Sequence, residues 1–410
     1  MIKIYLFFRG GKGLNKQPFL LLAGGIFSLI IAMGIGRFAY TPILPIMQQD
    51  LSFSDTAAGY VASSNYAGYL LGAVLAGVLP IKRHRTFLLR FHLIISILTT
   101  IFMGFTSSLI LWNILRFLSG LASAFVLILA SGIILDKLAS INKTHWSGVF
   151  YGGVGFGIFL SSILIPMLNE PFHWEGTWLG LAAISGFLAF FVWIWLKETT
   201  QTAGKKEIKE ADIQTPPMKW LPWLTIAYGL EGLGYIVTGT FIVSIAEKSP
   251  SFHSDATLVW LVAGLAAIPS CILWSVLATK WGFVKSLIVA MALQALGIVI
   301  PVFWETQTGI LISGFLFGAT FMGITTLATT LGRQMNPVNS GRIIGSLTAV
   351  YAIGQLIGPS LAGFMSSVTH SFNAALIGAA GVVFLGACLL VNGIKYEKKS
   401  NNPPSRVSYL

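Results

Sequence analysis

The sequence predicts an all-α membrane protein with twelve transmembrane helices in two pseudo-symmetric six-helix bundles, and three observations support this prediction. First, the 410 residues have a mean hydropathy of +0.79 and only 10% are charged, whereas a soluble domain carries about 25% charged residues. Second, basic residues gather in alternate loops between long apolar runs. Third, short sequence patterns recur at a constant offset of 198 residues.

The long apolar runs account for the predicted helices. About 20 apolar residues cross a bilayer as a helix, and a closed barrel would instead show alternating apolar residues in pieces of about ten. The predicted membrane segments are 19–47, 56–80, 86–106, 109–135, 145–168, 174–196, 220–246, 256–279, 284–303, 306–331, 341–366 and 371–394.

The charges in the loops predict the topology. If the N-terminus is cytoplasmic, the inner loops and both tails concentrate lysine and arginine, while the outer loops hold one cation, Lys248, among acidic residues. Because positive loops mark the cytoplasmic side, we predict a multi-pass protein of the bacterial inner (plasma) membrane with both termini in the cytoplasm. The net charge of +12 is explained by this topology, so we expect membrane lipid and no nucleic acid as a partner.

The chain divides at its one long polar connection, 197–219, which mixes lysines with acidic residues and contains two adjacent prolines near its end. We predict a cytoplasmic segment 1–18, an N-terminal six-helix bundle 19–196, a cytoplasmic linker 197–219, a C-terminal six-helix bundle 220–394 and a cytoplasmic tail 395–410.

An internal repeat relates the two bundles. The Gly-Ile-Gly pattern at Gly34 recurs as Gly-Leu-Gly at Gly232, and the stretch from Arg116 to Gly120 matches the stretch from Gly314 to Gly318, both at an offset of 198. One constant offset indicates duplication of a six-helix unit. In transporters with parallel repeats of this kind, the two halves move around a site near the middle of the bilayer.

Several motifs resemble those of the major facilitator superfamily. The stretch from Gly77 to Arg85 resembles its loop signature, with Ile81 in place of the usual Asp, and the stretch from Arg116 to Gly120 resembles its helix-4 arginine motif. The pair formed by Gly358 and Pro359 resembles its Gly-Pro packing motif. The fifth segment is rich in glycine but lacks the Gly-Pro pair that is typical of drug/proton antiporters.

Two further stretches, 34–42 and 59–72, resemble the YbfB/YjiJ-like branch of bacterial transporters. The resemblance implies the major facilitator fold and a transport role, but it does not indicate a substrate.

Three ionisable residues lie within predicted segments rather than loops: Arg37, Arg116 and Glu231. Charges at this depth are costly in lipid, so we expect them to face the protein interior or a water-filled cavity. By the 198-residue offset, Tyr235 corresponds to Arg37, and Glu231 lies four residues earlier, about 6 Å along the same helix. We therefore expect Arg37 to reach Glu231 in at least one state of the protein.

These charges lead to a prediction about the substrate. Arginine presents a planar fork that suits carboxylate or phosphate, so we predict an anionic or zwitterionic organic solute bound by Arg37 and Arg116. Glu231 is the candidate for proton coupling. Two alternatives remain open: Arg116 as a packing residue that donates to backbone carbonyls, and Arg37 with Glu231 as a static ion pair.

Uncharged polar and aromatic residues complete the predicted site. Gln355 is the strongest candidate because an amide in apolar surroundings needs a partner, whereas aromatic residues in membrane helices are more often core or lipid contacts. The substrate-binding candidates of this kind are Asn65, Tyr69, Tyr151, Tyr235, Tyr351 and Gln355.

The sequence therefore predicts a secondary active transporter that moves a small organic solute by alternating access, coupled to protons. The six histidines are scattered and no nucleotide-binding loop is present, so we expect no enzyme activity, no metal site and no cofactor. The expected partners are the solute and a proton or other ion, and the expected state is a monomer. Alternatives are efflux of toxic or amphipathic compounds and a membrane sensor that does not transport.

Overall fold

The computed structural model describes residues 17–79, 84–141, 143–196, 215–336 and 339–397. Within these ranges the chain is helical, with eleven helices that are long and apolar enough to cross a membrane. They are α1 (Gln17–Leu51), α2 (Asp55–Val78), α3 (Arg85–Met103), α4 (Leu109–Ser140), α5 (Ser147–Trp195), α6 (Leu221–Lys248), α7 (Thr257–Trp281), α8 (Phe283–Phe303), α9 (Gln307–Met335), α10 (Ser340–Thr369) and α11 (Asn373–Leu390).

The count of eleven rather than twelve arises from α5. This element has 49 residues, which would extend about 74 Å as a straight helix, against a hydrocarbon core about 30 Å thick. The helix is broken at His173, whose φ of 55° and ψ of −170° are not helical. The arms on either side of the break contain the predicted fifth and sixth segments. Most of the predicted terminal segments and linker, namely 1–16, 197–214 and 398–410, lie outside the described residues.

Side chains at the helix starts explain several boundaries. Ser54 accepts a hydrogen bond from the backbone of Ala57 (3.2 Å) at the start of α2, and Thr306 accepts one from Gly309 (3.3 Å) at the start of α9. Such N-caps pair backbone groups that the first turn leaves unsatisfied.

The middle of α1 departs from ordinary α-helical geometry. The stretch Ile30–Phe38 is π-helical and contains Arg37; wide turns of this kind are rare and often lie at functional sites. Glycine allows α5 to pack directly against this stretch, since a Cβ on Gly34 would lie 2.5 Å from the Cα of Gly157. The close contact fixes the position of the π-helical stretch in the interior.

Two hydrogen bonds join residues that are repeat counterparts. Thr41 donates to the carbonyl of Gly239 (2.6 Å), and Gln49 donates to Glu247 (2.9 Å). Both pairs are separated by 198 residues, the offset that the sequence repeat shows. Equivalent residues can touch each other only near an axis of approximate two-fold symmetry. These contacts lie between the end of α1 and the end of α6, where the sequence repeat predicts such an axis.

The packing between α2 and α10 differs between their two ends. We call the end of the molecule at which α1 ends and α2 begins the far end, and the end at which α6 begins the linker end. At the far end, a Cβ on Gly59 would collide with the carbonyl of Pro359, and one on Gly363 would collide with that of Asp55. Toward the linker end, a Cβ on Gly77 or Gly345 would meet no described atom within 4 Å. The two helices therefore interlock at the far end.

The outward faces of the helices carry large apolar side chains. Phe187 and Phe190 on α5, Phe303 on α8, and Phe364 on α10 are all exposed. Large apolar side chains exposed in such number are unfavourable in water and suit lipid.

Candidate functional site

The Arg37 guanidinium is buried, and no described residue accepts a hydrogen bond from it. The side chain lies in the π-helical stretch of α1 and is 3% exposed. The guanidinium carbon lies 4.1 Å from the ring centre of Tyr69, 4.9 Å from that of Tyr66 and 5.3 Å from that of Phe38. These contacts stabilise the cation, but the guanidinium makes no hydrogen bond or ion pair with any described residue, and its buried Nε has no partner.

Arg116 on α4 is equally buried, but backbone carbonyls satisfy its terminal nitrogens. Its Nη1 donates to the carbonyl of Gly36 (2.7 Å) and its Nη2 to that of Arg37 (2.8 Å). Ser119 donates to the Gly36 carbonyl as well (2.8 Å). Arg116 therefore holds the π-helical stretch in place from α4. These contacts match the packing alternative that the sequence left open, and its predicted role in binding substrate stays a prediction.

Glu231 on α6 is completely buried and does not pair with Arg37 in this state. Neither carboxyl oxygen has a well-formed hydrogen bond to a described residue. Gln294 on α8 lies close enough to interact with the carboxyl group, yet its own amide oxygen and nitrogen also lack a good partner. Glu231 and Gln294 are therefore two neighbouring buried side chains whose polar atoms lack good hydrogen-bond partners, which is unusual for a buried position.

Three of the predicted residues come together between α6 and α10. Gln355 donates a short hydrogen bond to the hydroxyl of Tyr235. The ring of Tyr235 is nearly parallel to that of Tyr351, with centres 5.6 Å apart and an angle of 15° between the planes. Tyr228 also stacks on Tyr351, at 4.3 Å and 12°.

The remaining candidates occupy different places. Tyr69 lies directly against the Arg37 guanidinium. Asn65 donates to the carbonyl of Arg116 (2.9 Å) and is completely buried, so it joins α2 to α4. Tyr151 on α5 is partly buried and its hydroxyl interacts with Ser131 of α4 rather than with Arg37.

Aromatic residues that the sequence analysis did not select link Arg37 to Tyr235. The ring of Phe38 lies 6.3 Å from Trp260 and 6.0 Å from Phe321. Phe321 is parallel to Phe317 (5.0 Å, 10°) and to Tyr235 (6.1 Å, 8°). The four-residue spacing of Phe317 and Phe321 was a signal that these two rings share one face of a helix.

Comparisons with known proteins agree with this architecture. The family model described as "Uncharacterised MFS-type transporter YbfB" matches residues 29–391. The "Uncharacterized MFS-type transporter YceJ" of Bacillus subtilis (strain 168) is 24% identical, over 91% of this chain and 96% of that protein. The "Tetracycline resistance protein, class H" of Pasteurella multocida is 22% identical, over 94% of this chain and 98% of that protein.

The fold is also similar to that of a solved transporter. The crystal structure of the nucleoside transporter NupG has a TM-score of 0.68 and 14% sequence identity, and the match covers 92% of this chain and 99% of that chain. The family match confirms the resemblance that the motifs indicated, and members of this family are transporters rather than enzymes. The chain therefore belongs to the YbfB-type family of major facilitator superfamily transporters, as a multi-pass integral membrane protein that transports a small-molecule solute.

Proposed function

We propose that this protein is a monomeric secondary active transporter that moves a small organic solute with an anionic group across the bacterial inner membrane, coupled to protons. The observation that carries this proposal is the Arg37 guanidinium, which is buried without an acceptor among the described residues. A buried charge without a partner is strongly unfavourable, and a carboxylate or phosphate of the solute would supply the missing acceptor.

The proposed architecture is two six-helix bundles, 19–196 and 220–394, with twelve membrane crossings. The break at His173 would divide α5 into two crossings, which raises the eleven helices to twelve. The contacts of Thr41 with Gly239 and of Gln49 with Glu247 support the two-fold relation between the bundles. The basic residues of the linker and tails support a cytoplasmic linker end with both termini on that side.

A polar cluster closes the far end between the proposed bundles. Asp55 at the start of α2 accepts from Lys248 (2.8 Å), from Ser366 of α10 (2.7 Å) and from Gln48 (2.9 Å). We call these four residues the far-end clasp. Because α2 and α10 also interlock here, this state is closed on the side opposite the linker, as one half of an alternating-access cycle requires.

Glu231 supports the proposal of proton coupling. No described cation lies within ion-pair distance of its carboxyl group. The polar side chains near it are neutral: the amide of Gln294 and the hydroxyls of Tyr228, Tyr235 and Tyr351. Such surroundings suit a neutral, protonated carboxyl group. Loss of the proton would require a rearrangement that brings a cation or water to Glu231, and that requirement would link proton release to movement of α6.

Flux into proteoliposomes tests the proposal. We expect an imposed pH gradient to drive accumulation of a carboxylate solute by the wild type, and the variant Arg37→Gln to abolish it. The matched control is Arg342→Gln, because Arg342 is exposed at the start of α10. Flux that is unchanged in Arg37→Gln would contradict the proposed role of Arg37. Binding of a solute without any flux would favour the membrane sensor.

Export of a toxic amphipathic compound is the second candidate. It is favoured by the similarity to a tetracycline resistance protein over nearly the whole chain. A deletion strain separates the two candidates, because loss of an exporter lowers resistance to the compound, whereas loss of an importer lowers uptake of a solute.

A further inference from the structure

We propose that the solute is an aromatic monocarboxylate, whose carboxylate binds Arg37 and whose flat ring stacks on a group of parallel side chains beside it. This inference depends on the proposed anion transport and specifies the class of anion. The stacking group, here called the aromatic wall, consists of Tyr235, Phe317, Phe321 and Tyr351.

The charges around Arg37 favour a solute that carries a single negative charge. The described side chains that interact with its guanidinium provide no negative charge: they are Phe38, Tyr66, Tyr69, Tyr235 and Tyr351. Glu231 interacts with Gln294 instead of Arg37. An ammonium group next to the carboxylate of a zwitterionic solute would therefore lose its water without gaining a carboxylate partner, which is costly. The site suits a monoanion better than an amino acid.

The geometry of the aromatic wall favours a flat ring. The planes of Tyr235, Phe317 and Phe321 lie within 13° of one another, with ring centres 5.0–6.1 Å apart. Rings prefer offset-stacked or edge-on contacts at such separations. A planar solute aligned with these faces would continue the same arrangement, whereas a puckered ring would match it poorly.

The aromatic wall is also adjacent to the Arg37 guanidinium. Phe38 connects them, because its ring lies 6.0 Å from Phe321 and 5.3 Å from the Arg37 guanidinium carbon. Arg37 belongs to the first repeat, whereas the wall is formed by α6, α9 and α10 of the second. A solute held by both would contact both repeats at once, which is what a transporter needs if substrate binding is to draw its halves together.

Matched ligand pairs test the inference by equilibrium binding to the full-length protein in nanodiscs. The panel is benzoate, 3-hydroxybenzoate and phenylacetate, each compared with its cyclohexane counterpart, together with benzamide and phenylalanine. We expect at least one aromatic acid to bind about tenfold more tightly than its cyclohexane counterpart, in keeping with the strength of aromatic pairs. We expect benzamide and phenylalanine to bind at least about tenfold more weakly than that acid.

A variant pair shows whether the wall supplies the preference. Phe321→Leu removes a ring of the wall, and Phe241→Leu removes a buried ring that packs against Phe372 elsewhere in the molecule. The aromatic preference is the ratio of the affinity for an aromatic acid to the affinity for its cyclohexane counterpart. We expect only Phe321→Leu to reduce this ratio to near one.

The outcomes separate this inference from the proposed function. Equal binding of aromatic and cyclohexane acids, or an aromatic preference that survives Phe321→Leu, would overturn the aromatic inference and leave the anion proposal standing. Binding of benzamide as tight as that of benzoate, or no binding of any acid in the panel, would overturn both.

Discussion

Arg37 and Arg116 are two equally buried arginines that differ in the partners of their terminal nitrogens. Their exposed fractions are 3% and 2%. Arg116 donates to two backbone carbonyls, whereas Arg37 donates to none among the described residues and rests on the faces of aromatic rings. Burial alone therefore does not identify a functional charge. The informative property is whether the protein itself supplies the acceptors.

The two arginines are also connected. One of the carbonyls that Arg116 binds belongs to Arg37 itself, and the other belongs to the preceding residue. Hydrogen bonds from a charged donor contribute about 1.5–3 kcal/mol each. Arg116 thereby stabilises the π-helical stretch that presents Arg37, so the arginine whose terminal nitrogens are paired positions the one that makes no hydrogen bond to a described residue.

The largest expected effect is that of Arg37→Gln on transport. Loss of a desolvated charge pair costs about 2–5 kcal/mol, so we predict a fall in solute flux of at least about 30-fold. Thermal stability should stay the same or rise, because an unpaired buried charge is removed. Flux in proteoliposomes and a melting curve of the same preparation measure both effects. A variant that loses flux only because it unfolds would contradict this prediction.

Arg116→Gln should show the opposite pattern. The carbonyls of Gly36 and Arg37 lose charged donors, so we predict a loss of about 2–4 kcal/mol in stability. The melting temperature should fall by about 5 °C or more. Arg116→Lys keeps the charge but not the two-pronged geometry, and we expect an intermediate loss. A fully stable Arg116→Gln protein with reduced flux would instead show that Arg116 binds substrate directly.

Glu231→Gln should separate coupling from binding. The amide mimics a permanently neutral carboxyl group, so we predict loss of accumulation driven by a pH gradient. Exchange of labelled for unlabelled solute at equal pH should remain within about threefold of the wild type, because no net proton movement is needed. Accumulation that is retained in Glu231→Gln would remove Glu231 from the coupling mechanism. Gln294→Leu is the matched control, because it changes the side chain next to Glu231 without removing a titratable group.

The smallest effect is expected at the far-end clasp. Asp55→Asn removes the ion pair with Lys248, whose side chain is half exposed, and such pairs contribute about 1 kcal/mol or less. We predict up to about a fivefold shift toward states that are open at the far end. Distances between spin labels across that end measure the shift. Asp136→Asn is the control, because the Arg85–Asp136 ion pair joins α3 to α4 within the proposed N-terminal bundle. An equal shift in both variants would contradict the role of the clasp.

Much of the fold was predictable because membrane spans follow from length and hydropathy. The predicted fifth and sixth segments ran together as α5, since the residues between them stay helical until His173. The π-helical stretch was not predictable. It depends on hydrogen bonds donated by Arg116 and Ser119 of α4, and no local sequence pattern in α1 indicates those contacts.

The candidate site was predictable only where charge revealed it. Arg37 and Glu231 stood out because ionisable residues are rare in apolar segments. The aromatic wall did not, since a phenylalanine in such a segment can face lipid or the interior: Phe315 is 52% exposed, whereas Phe317 on the same helix is buried. Only the packing of α9 against α6 and α7 distinguishes the two.

The central claim, that Arg37 receives the negative charge of the solute, is tested most directly by charge selectivity. The measurement is the ratio of affinities for benzoate and its neutral isostere benzamide, in the wild type and in Arg37→Gln. We predict a strong preference for benzoate in the wild type and a ratio near one in the variant. A preference for benzoate that persists unchanged in Arg37→Gln would contradict the account.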